Sequence, residues 1–256
     1  MMKNRFLFVA MLFAALSLGF ASCDMINGNE SDDPTQGEQT EQNGSTENNG
    51  GELDDPADPY NGHTYVDLGL SVKWATCNVG ADSPEDYGDY FAWGEVVPKT
   101  YFDWSNYKWV QEGEDDLIKY FTDEWYGNKV PVDNKTVLEA VDDAASVNMG
   151  GVWRMPTITE VEELINGCIW TWTTLNGVEG YEVKSKTNDN SIFLPAAGGW
   201  DEDEHGGLRE ECLYWCSSLS IEGQYGAWSL DAISFEGITE NPISRYYGLS
   251  VRGVTE

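Results

Sequence analysis

The sequence predicts an α+β domain over residues 61–256, preceded by a stretch that does not fold. From Tyr65 onward, short apolar segments rich in Val, Ile, Trp and Tyr alternate with Gly, Asn and Asp, a pattern typical of strands joined by turns. Two other segments carry helix-capping residues. By contrast, residues 24–60 are almost entirely polar and contain no Lys or Arg, so nothing there offsets the entropy of ordering.

Two helices are predicted from the residues at their ends. Thr157 and Glu160 form an S/T-x-x-E capping box, which predicts a helix that begins there and ends near Gly167. A second helix is predicted around residues 142–147, with acidic residues at its start and two glycines beyond its end. The apolar face of the first helix is formed by Val161, Leu164 and Ile165.

The remaining apolar segments are predicted to be strands. Their loops fall around Glu222-Gly223-Gln224, around Glu240-Asn241-Pro242 and over the acidic segment 200–205. No internal repeat of solenoid period is present in the sequence. The predicted strands are residues 65–70, 72–76, 190–195, 213–219, 226–235 and 246–254.

The N-terminus has the pattern of an export signal. Lys3 and Arg5 precede the apolar run Phe6–Leu18, which is too short to span a bilayer, and small residues then lead to Cys23. This resembles the bacterial lipobox, although Phe20 replaces the usual aliphatic residue. The resemblance implies a signal peptide over residues 1–22 and lipidation, by groups such as palmitate, of Cys23, which would anchor the protein to the membrane.

Residues 23–60 are predicted to be an acidic, disordered tether that would hold the domain about 35 Å from the membrane. The acidic residues just after Cys23 resemble the signal that sends lipoproteins of Bacteroides-type bacteria to the exterior face of the outer membrane. Retention on the periplasmic face is the competing interpretation. The residues that carry this resemblance are Asp24, Glu30, Asp32 and Asp33.

Charge excludes some classes of partner. The chain has 45 acidic and 14 basic residues, a net charge of −31. Nucleic-acid binding is disfavoured because it depends on Lys and Arg that displace counterions from phosphates. Solubility at a crowded cell surface is the simplest explanation of such acidity, and binding of divalent cations is the alternative.

Three motifs occur in order along the domain: the segment 65–81, the segment Trp153-Arg154-Met155-Pro156-Thr157, and Tyr214-Trp215-Cys216-Ser217-Ser218 with Ser250-Val251-Arg252 near the C-terminus. Together they resemble the Fibrobacter succinogenes major paralogous domain family of surface lipoproteins. That family is similar to C-type-lectin-like folds, including the sulfatase-modifying enzymes that generate formylglycine. The resemblance implies two helices packed on a twisted, mostly antiparallel sheet with long loops. Arg154 and Arg252 are interpreted as structural, buried ion-pair formers.

Four cysteines remain in the domain, in an oxidising compartment. On one extended strand Cys212 and Cys216 would lie about 13 Å apart, which is beyond disulfide reach. A Cys77–Cys168 bond is favoured, while four free thiols, or bonds from each early cysteine to a late one, remain open. The resemblance to formylglycine-generating oxidases also implies a copper–thiolate interpretation of Cys212 and Cys216, and a buried small residue is the simpler explanation of the latter.

Aromatic residues in polar segments are the candidates for ligand binding. Exposed rings next to carboxylates and amides are a common means of holding sugars, whereas burial in the core is the usual fate of Trp. The candidates are Trp104, Tyr107, Trp109, Trp125 and Trp200, with Tyr126 beside them.

The segment 200–205 offers carboxylates at alternating positions between pairs of glycines. Oxygen ligands of this kind suit Ca²⁺, although the spacing matches no EF-hand, and a solvated acidic loop is the simpler interpretation. No other cofactor is predicted. The candidate ligands are Asp201, Asp203 and Glu204.

The sequence contains no nucleophile elbow, zincin motif, P-loop or dinucleotide fingerprint, so we predict no enzyme. The leading hypothesis is a non-catalytic, lipid-anchored cell-surface module that binds glycan or protein ligands. The alternative is a structural or accessory subunit of a surface assembly, such as a fimbria or a glycan-uptake complex. An oxidase of the formylglycine-generating type comes third.

Overall fold

A computed structural model describes residues 58–111, 116–127 and 129–256. The predicted signal peptide, Cys23 and nearly all of the tether lie outside the described residues. The strands, in chain order, are β1 (Tyr65–Val66), β2 (Lys73–Asn78), β3 (Cys168–Leu175), β4 (Val178–Ser185), β5 (Ser191–Pro195), β6 (Gly199–Asp201), β7 (Glu204–Gly206), β8 (Glu211–Leu219), β9 (Gly226–Ile233), β10 (Gly237–Ser244), β11 (Gly248–Leu249) and β12 (Arg252–Thr255).

Two α-helices and three short 3-10 helices complete the described elements. The α-helices are α1 (Ala144–Met149) and α2 (Ile158–Gly167). The 3-10 helices are Trp104–Asn106, Glu124–Tyr126 and Ala140–Asp142.

The strands form four small sheets in which neighbouring strands pair antiparallel. The strand orders are β1-β2-β12, β3-β4-β5, β10-β9-β8 and β11-β6-β7. The predicted combination of antiparallel strands and two helices is therefore confirmed. The prediction of a single twisted sheet is not, because short strands and irregular connections divide the pairing among four sheets.

Both predicted helices are confirmed, together with their caps. In α2 the Thr157 hydroxyl accepts a hydrogen bond from the Glu160 amide at 3.4 Å, and the Glu160 carboxylate accepts one from the Thr157 amide at 2.7 Å. Arg154 donates to the same carboxylate at 2.8 and 2.6 Å, which confirms its predicted ion pair. In α1 the Asp143 side chain accepts from the Ser146 amide at 2.8 Å.

Parts of the predicted strand pattern need correction. The predicted strand 246–254 is divided between β11 and β12, which belong to different sheets, and the predicted loop 200–205 lies mostly in the β6–β7 hairpin. The hairpin β3–β4 was not predicted, although Asn176 and Gly177, at φ 49° and 90°, supply the left-handed residues that a type I′ turn requires. The predicted loop around Pro242 lies within β10, where Pro242 pairs with Trp228. Proline is tolerated there because β10 is an edge strand, whose outer amides need no partner.

The core lies on both sides of β2. Trp74 belongs to a cluster with Leu164, from α2, and Tyr214. The next residue, Ala75, belongs to a second cluster that contains Trp93 and Trp215. Successive side chains of a strand point to opposite faces, so β2 separates the two clusters. A third, smaller cluster consists of Ala92, Phe102 and Tyr107.

The four cysteines of the described residues are free thiols, so the favoured Cys77–Cys168 bond is not formed in this structure. The two thiols are kept apart because successive side chains of β2 point to opposite faces of the strand. Cys77 shares the face of Ala75, whereas Cys168 packs in the other cluster with Trp74.

Arg252 is buried as predicted, but it does not pair with a carboxylate. Its guanidinium donates to the Asn78 side chain at 2.8 Å and to three backbone carbonyl oxygens at 2.7–3.0 Å. Backbone dipoles therefore replace the predicted ion pair. The three carbonyls belong to Ala75, Thr76 and Phe193.

Candidate functional site

Two short 3-10 helices each carry a tryptophan, which is half-buried in the first helix and exposed in the second. The first begins after Asp103, whose side chain accepts a hydrogen bond from the Ser105 amide at 2.8 Å, and its first residue is Trp104. The second begins after Asp123, whose side chain accepts from the Trp125 amide at 2.9 Å. Aspartate at the N-cap satisfies amides that the short helix leaves unbonded, and so fixes both turns.

Five rings from four separate segments form a continuous row, which we call the aromatic ridge. Successive ring centroids lie 5.0–5.8 Å apart, and the planes of neighbouring rings are inclined by 58–85°. These edge-to-face contacts are the arrangement that aromatic quadrupoles favour. In order, the aromatic ridge consists of Trp125, Tyr126, Tyr225, Trp104 and Tyr246.

Hydrogen bonds hold the segments of the aromatic ridge together. The buried Gln224 amide accepts from the Thr122 amide at 2.7 Å and donates to its hydroxyl at 2.8 Å. This clamp fixes the β8–β9 loop, and with it Tyr225, against the turn that carries Trp125. In addition, the Arg245 amide donates to the Tyr225 carbonyl at 2.9 Å.

Beneath the aromatic ridge lies the fully buried side chain of Arg245. Its guanidinium stacks on Trp93, with 4.9 Å between the charge and the ring centroid, and donates to the carbonyls of Lys119 and Tyr120. Because Tyr246 is the next residue, the position of Arg245 also fixes one end of the aromatic ridge.

Carboxylates flank both ends of the aromatic ridge. At one end, Asp201 accepts hydrogen bonds from the hydroxyls of Tyr246 at 3.0 Å and Tyr247 at 2.8 Å. The β6–β7 hairpin, which carries Asp201, is joined to the Trp104 segment by two backbone hydrogen bonds between Phe102 and Glu202, at 3.0 and 2.7 Å. At the other end, Asp123 and Glu124 are exposed beside Trp125.

The two tyrosine hydroxyls at Asp201 stay protonated at neutral pH. Burial raises the pKa of Tyr247 to about 12, with Asp201 adding to the effect. Burial, Tyr247 and Asp201 together raise the pKa of Tyr246 well above its usual value. Both hydroxyls therefore act as donors to the Asp201 carboxylate.

Among the predicted ligand-binding aromatics one side chain is exposed, one is buried and the others are half-buried; in that order they are Trp125, Tyr107, and Trp104, Trp109, Trp200 and Tyr126. Trp104 and Trp125 belong to the aromatic ridge. The buried Tyr107 donates to the Trp93 carbonyl at 2.7 Å. The half-buried Trp109 donates to the Gly94 carbonyl at 2.9 Å, and Trp200 stacks on the His205 ring with centroids 4.3 Å apart.

Two members of the aromatic ridge were missed by sequence reasoning. Tyr225 lies in the predicted loop after Gln224, and Tyr246 opens a predicted strand. The signal that could have found Tyr225 was an aromatic residue in a polar, glycine-containing loop, the same pattern that singled out Trp125.

The predicted calcium ligands lie on the β6–β7 hairpin. Asp201 ends β6, Glu204 begins β7, and Asp203 lies in the turn between them. Within the described ranges, no group of three or more His, Cys, Asp or Glu side chains is arranged to hold a metal ion. Asp201 instead accepts hydrogen bonds from two tyrosines, and calcium binding remains a prediction.

Burial disfavours the thiolate forms that a copper–thiolate centre would need. Cys212 and Cys216 are fully buried on β8, and desolvation raises the pKa of both thiols well above the usual value. The Cys212 thiol also donates to the Leu194 carbonyl at 3.2 Å.

Open clefts accompany these features. One of about 410 Å³ adjoins the Trp125 turn and is lined by Glu124, Gly127, Lys129, Val130 and Pro131. Another of about 410 Å³ lies over the β3-β4-β5 sheet, between Thr173 and Phe193. No helix among the described residues is long and apolar enough to cross a membrane.

The aromatic ridge joins the exposed ring of Trp125 to four half-buried rings, and carboxylates lie at both of its ends. Comparison with family models, with curated proteins and with solved structures gave no match for this chain.

Proposed function

We propose that the protein is a non-catalytic binding module of the cell surface that holds a glycan on the aromatic ridge. The observation that carries the proposal is the exposure of Trp125, whose side chain is 71% exposed at the end of a row of five aromatic rings. Trp125 differs from other exposed apolar residues, such as Phe235, because its ring contacts the rings of Tyr126 and Tyr225 and so belongs to a larger aromatic surface.

The chemistry of the aromatic ridge suits sugars better than a purely apolar ligand. Aromatic rings pack against the C–H faces of sugar rings, and nearby carboxylates accept hydrogen bonds from their hydroxyls. Asp103, Asp123 and Glu124 supply such acceptors along the row. Because five rings in contact offer more than one stacking surface, we expect an oligosaccharide to bind better than a single sugar.

The rest of the proposal follows from sequence. We propose that lipidated Cys23 anchors the protein to the outer membrane, that the acidic tether displays the domain towards the cell exterior, and that the fold is C-type-lectin-like. Two α-helices with antiparallel sheets are compatible with that fold. A surface position would give the aromatic ridge access to extracellular glycans.

A glycan array with the purified protein tests the proposed function. Trp125→Ala should weaken competable binding by about tenfold or more, as expected for an aromatic hot spot. The matched control is Phe235→Ala, because Phe235 is also 70% exposed but lies in the β9–β10 connection, and contacts no ring of the aromatic ridge.

Absence of any competable hit would overturn the glycan proposal, as would equal losses in the two variants. Stable co-purification of the protein with a defined surface assembly, in the absence of glycan binding, would instead support the alternative role as an assembly subunit.

A further inference from the structure

We infer that the preferred ligand of the aromatic ridge is an oligosaccharide of amino sugars, bound with its amines protonated. This inference rests on the proposed function and adds the charge of the ligand to it. The inference depends on the positions of the acidic and basic side chains around the five rings.

The Tyr246 end of the aromatic ridge is negative. The β6–β7 hairpin carries four consecutive acidic residues, and only Asp201 among them is engaged by the two tyrosine hydroxyls. Glu202 and Asp203 are exposed at the tip of the hairpin, which the backbone bonds to Phe102 hold beside the Trp104 segment. Asp103, the N-cap of that segment, adds a further carboxylate.

The Trp125 end is negative as well. Asp123 and Glu124 precede Trp125 directly, and both are exposed. A ligand that lies along the aromatic ridge therefore meets carboxylates at both ends. An ammonium group gains from this arrangement twice, by pairing with a carboxylate and by its attraction to the electron-rich face of an aromatic ring.

The basic side chains near the aromatic ridge are bonded to other groups of the protein. Lys99 pairs with Glu95 at 2.9 Å and also donates to Asn106, whereas Lys129 pairs with Asp116 at 3.1 Å. The guanidinium of Arg245 is fully buried and turned towards backbone carbonyls. An acidic sugar would therefore face uncompensated carboxylates at both ends of the aromatic ridge.

The test compares one sugar backbone in three charge states. A glucosamine hexasaccharide is used with free amines, with N-acetyl groups and with N-succinyl groups, which make it cationic, neutral and anionic. Affinities for the purified protein are measured by calorimetry at a pH where amines are protonated and carboxylates ionised. We expect the free-amine form to bind about 10-fold more tightly than the N-acetyl form, and the N-succinyl form not to bind.

Two variants test which carboxylates cause the preference for the free-amine form. Glu124→Gln combined with Asp203→Asn removes one exposed carboxylate at each end and should reduce the preference for the free amine several-fold, about as much as added salt at 0.5 M. Glu236→Gln, an exposed carboxylate next to the control residue Phe235, should leave the preference unchanged.

Equal affinity for the free-amine and N-succinyl forms would overturn the charge preference. Failure of all three forms to bind would overturn the amino-sugar inference, whereas the glycan array decides separately whether the aromatic ridge binds sugars at all. A preference that survives in the double variant would also contradict the inference, because these carboxylates would then not be its cause.

Discussion

Two groups of aromatic rings in this protein differ in what their polar atoms do. In the interior, the Trp93 and Trp215 indoles donate to the carbonyls of Cys216 and Phe91 at 2.8 and 2.7 Å, and Tyr107 donates to Trp93 at 2.7 Å. In the aromatic ridge, the Tyr246 hydroxyl donates to the Asp201 carboxylate at 3.0 Å, and Trp125 is largely exposed and contacts the rings of Tyr126 and Tyr225.

The difference separates rings that bond to distant backbone carbonyls from an exposed ring, Trp125, that a ligand can reach. An indole bonded to a distant carbonyl is part of the fold, because its removal leaves both a cavity and an unsatisfied acceptor. A ring at the end of an exposed row contributes little to stability and more to binding. Stability and binding should therefore respond to different residues.

The largest effect expected from this comparison is on stability. Trp215→Ala removes a side chain that is 1% exposed and should lower the free energy of unfolding by about 3–5 kcal/mol. Trp125→Ala should cost about 0.5 kcal/mol or less, as is usual for exposed residues. Urea denaturation measures both, and similar losses in the two variants would break the comparison.

The next largest effect on stability is expected at a carboxylate that is bonded within the fold, Glu160. Although burial opposes it, hydrogen bonds from Arg154 and the Thr157 amide hold the pKa of Glu160 below its usual value. Glu160 therefore stabilises the fold above its unfolded pKa, and this contribution is lost as the pH falls through the folded pKa. Glu160→Gln should cost about 1.5–3 kcal/mol at neutral pH, since bonds to a charged group are lost.

Asp231 provides the control of opposite sign. Burial raises the pKa of Asp231 despite hydrogen bonds from Ser229 and Asn241. Its contribution is present below the unfolded pKa and lost as the pH rises through the folded pKa. Urea denaturation at several acidic pH values should show the two substitutions, Glu160→Gln and Asp231→Asn, changing the pH dependence in opposite directions. Changes of the same sign would contradict these assignments.

A smaller effect on stability is expected at Gln224, which lies between the interior and the aromatic ridge. Gln224→Ala removes the clamp on Thr122 and should cost about 1–2 kcal/mol, because a buried amide N–H loses its acceptor. It should also weaken glycan binding, since Tyr225 is no longer held in the row. Denaturation and calorimetry on the same samples test this; a loss of stability with unchanged affinity would show that the clamp does not order the aromatic ridge.

Added calcium should have the smallest effect on the stability of the protein. Since Asp201 already accepts hydrogen bonds from two tyrosine hydroxyls, we expect Ca²⁺ to raise the melting temperature by no more than about 1 °C relative to magnesium or sodium at matched ionic strength. A saturable increase that is abolished by Asp203→Asn would restore the calcium hypothesis for the β6–β7 hairpin.

Local features of the fold could be predicted from the sequence, because their causes lie within a few residues. The capping box at Thr157 and Glu160 is such a case, and Asn176-Gly177 could have predicted the β3–β4 hairpin in the same way. The division of the strands among four sheets could not be predicted, since it depends on pairings such as β2 with β12, far apart in the chain.

The aromatic ridge was only half predictable for the same reason. Polar surroundings in sequence indicated Trp104 and Trp125, but they equally indicated Tyr107, which turns into the core to reach Trp93. Whether a ring is exposed depends on the segments that pack against it. Tyr225 and Tyr246, which complete the row, come from the other end of the chain.

The clamp between Gln224 and Thr122 joins residues that are 102 positions apart. A polypeptide still leaving the ribosome possesses Trp104 and Trp125 long before it possesses Tyr225 and Tyr246. The complete set of five rings would thus be acquired late in synthesis, when the last part of the chain is in place. A truncated form that lacks the last strands would lack the complete aromatic ridge.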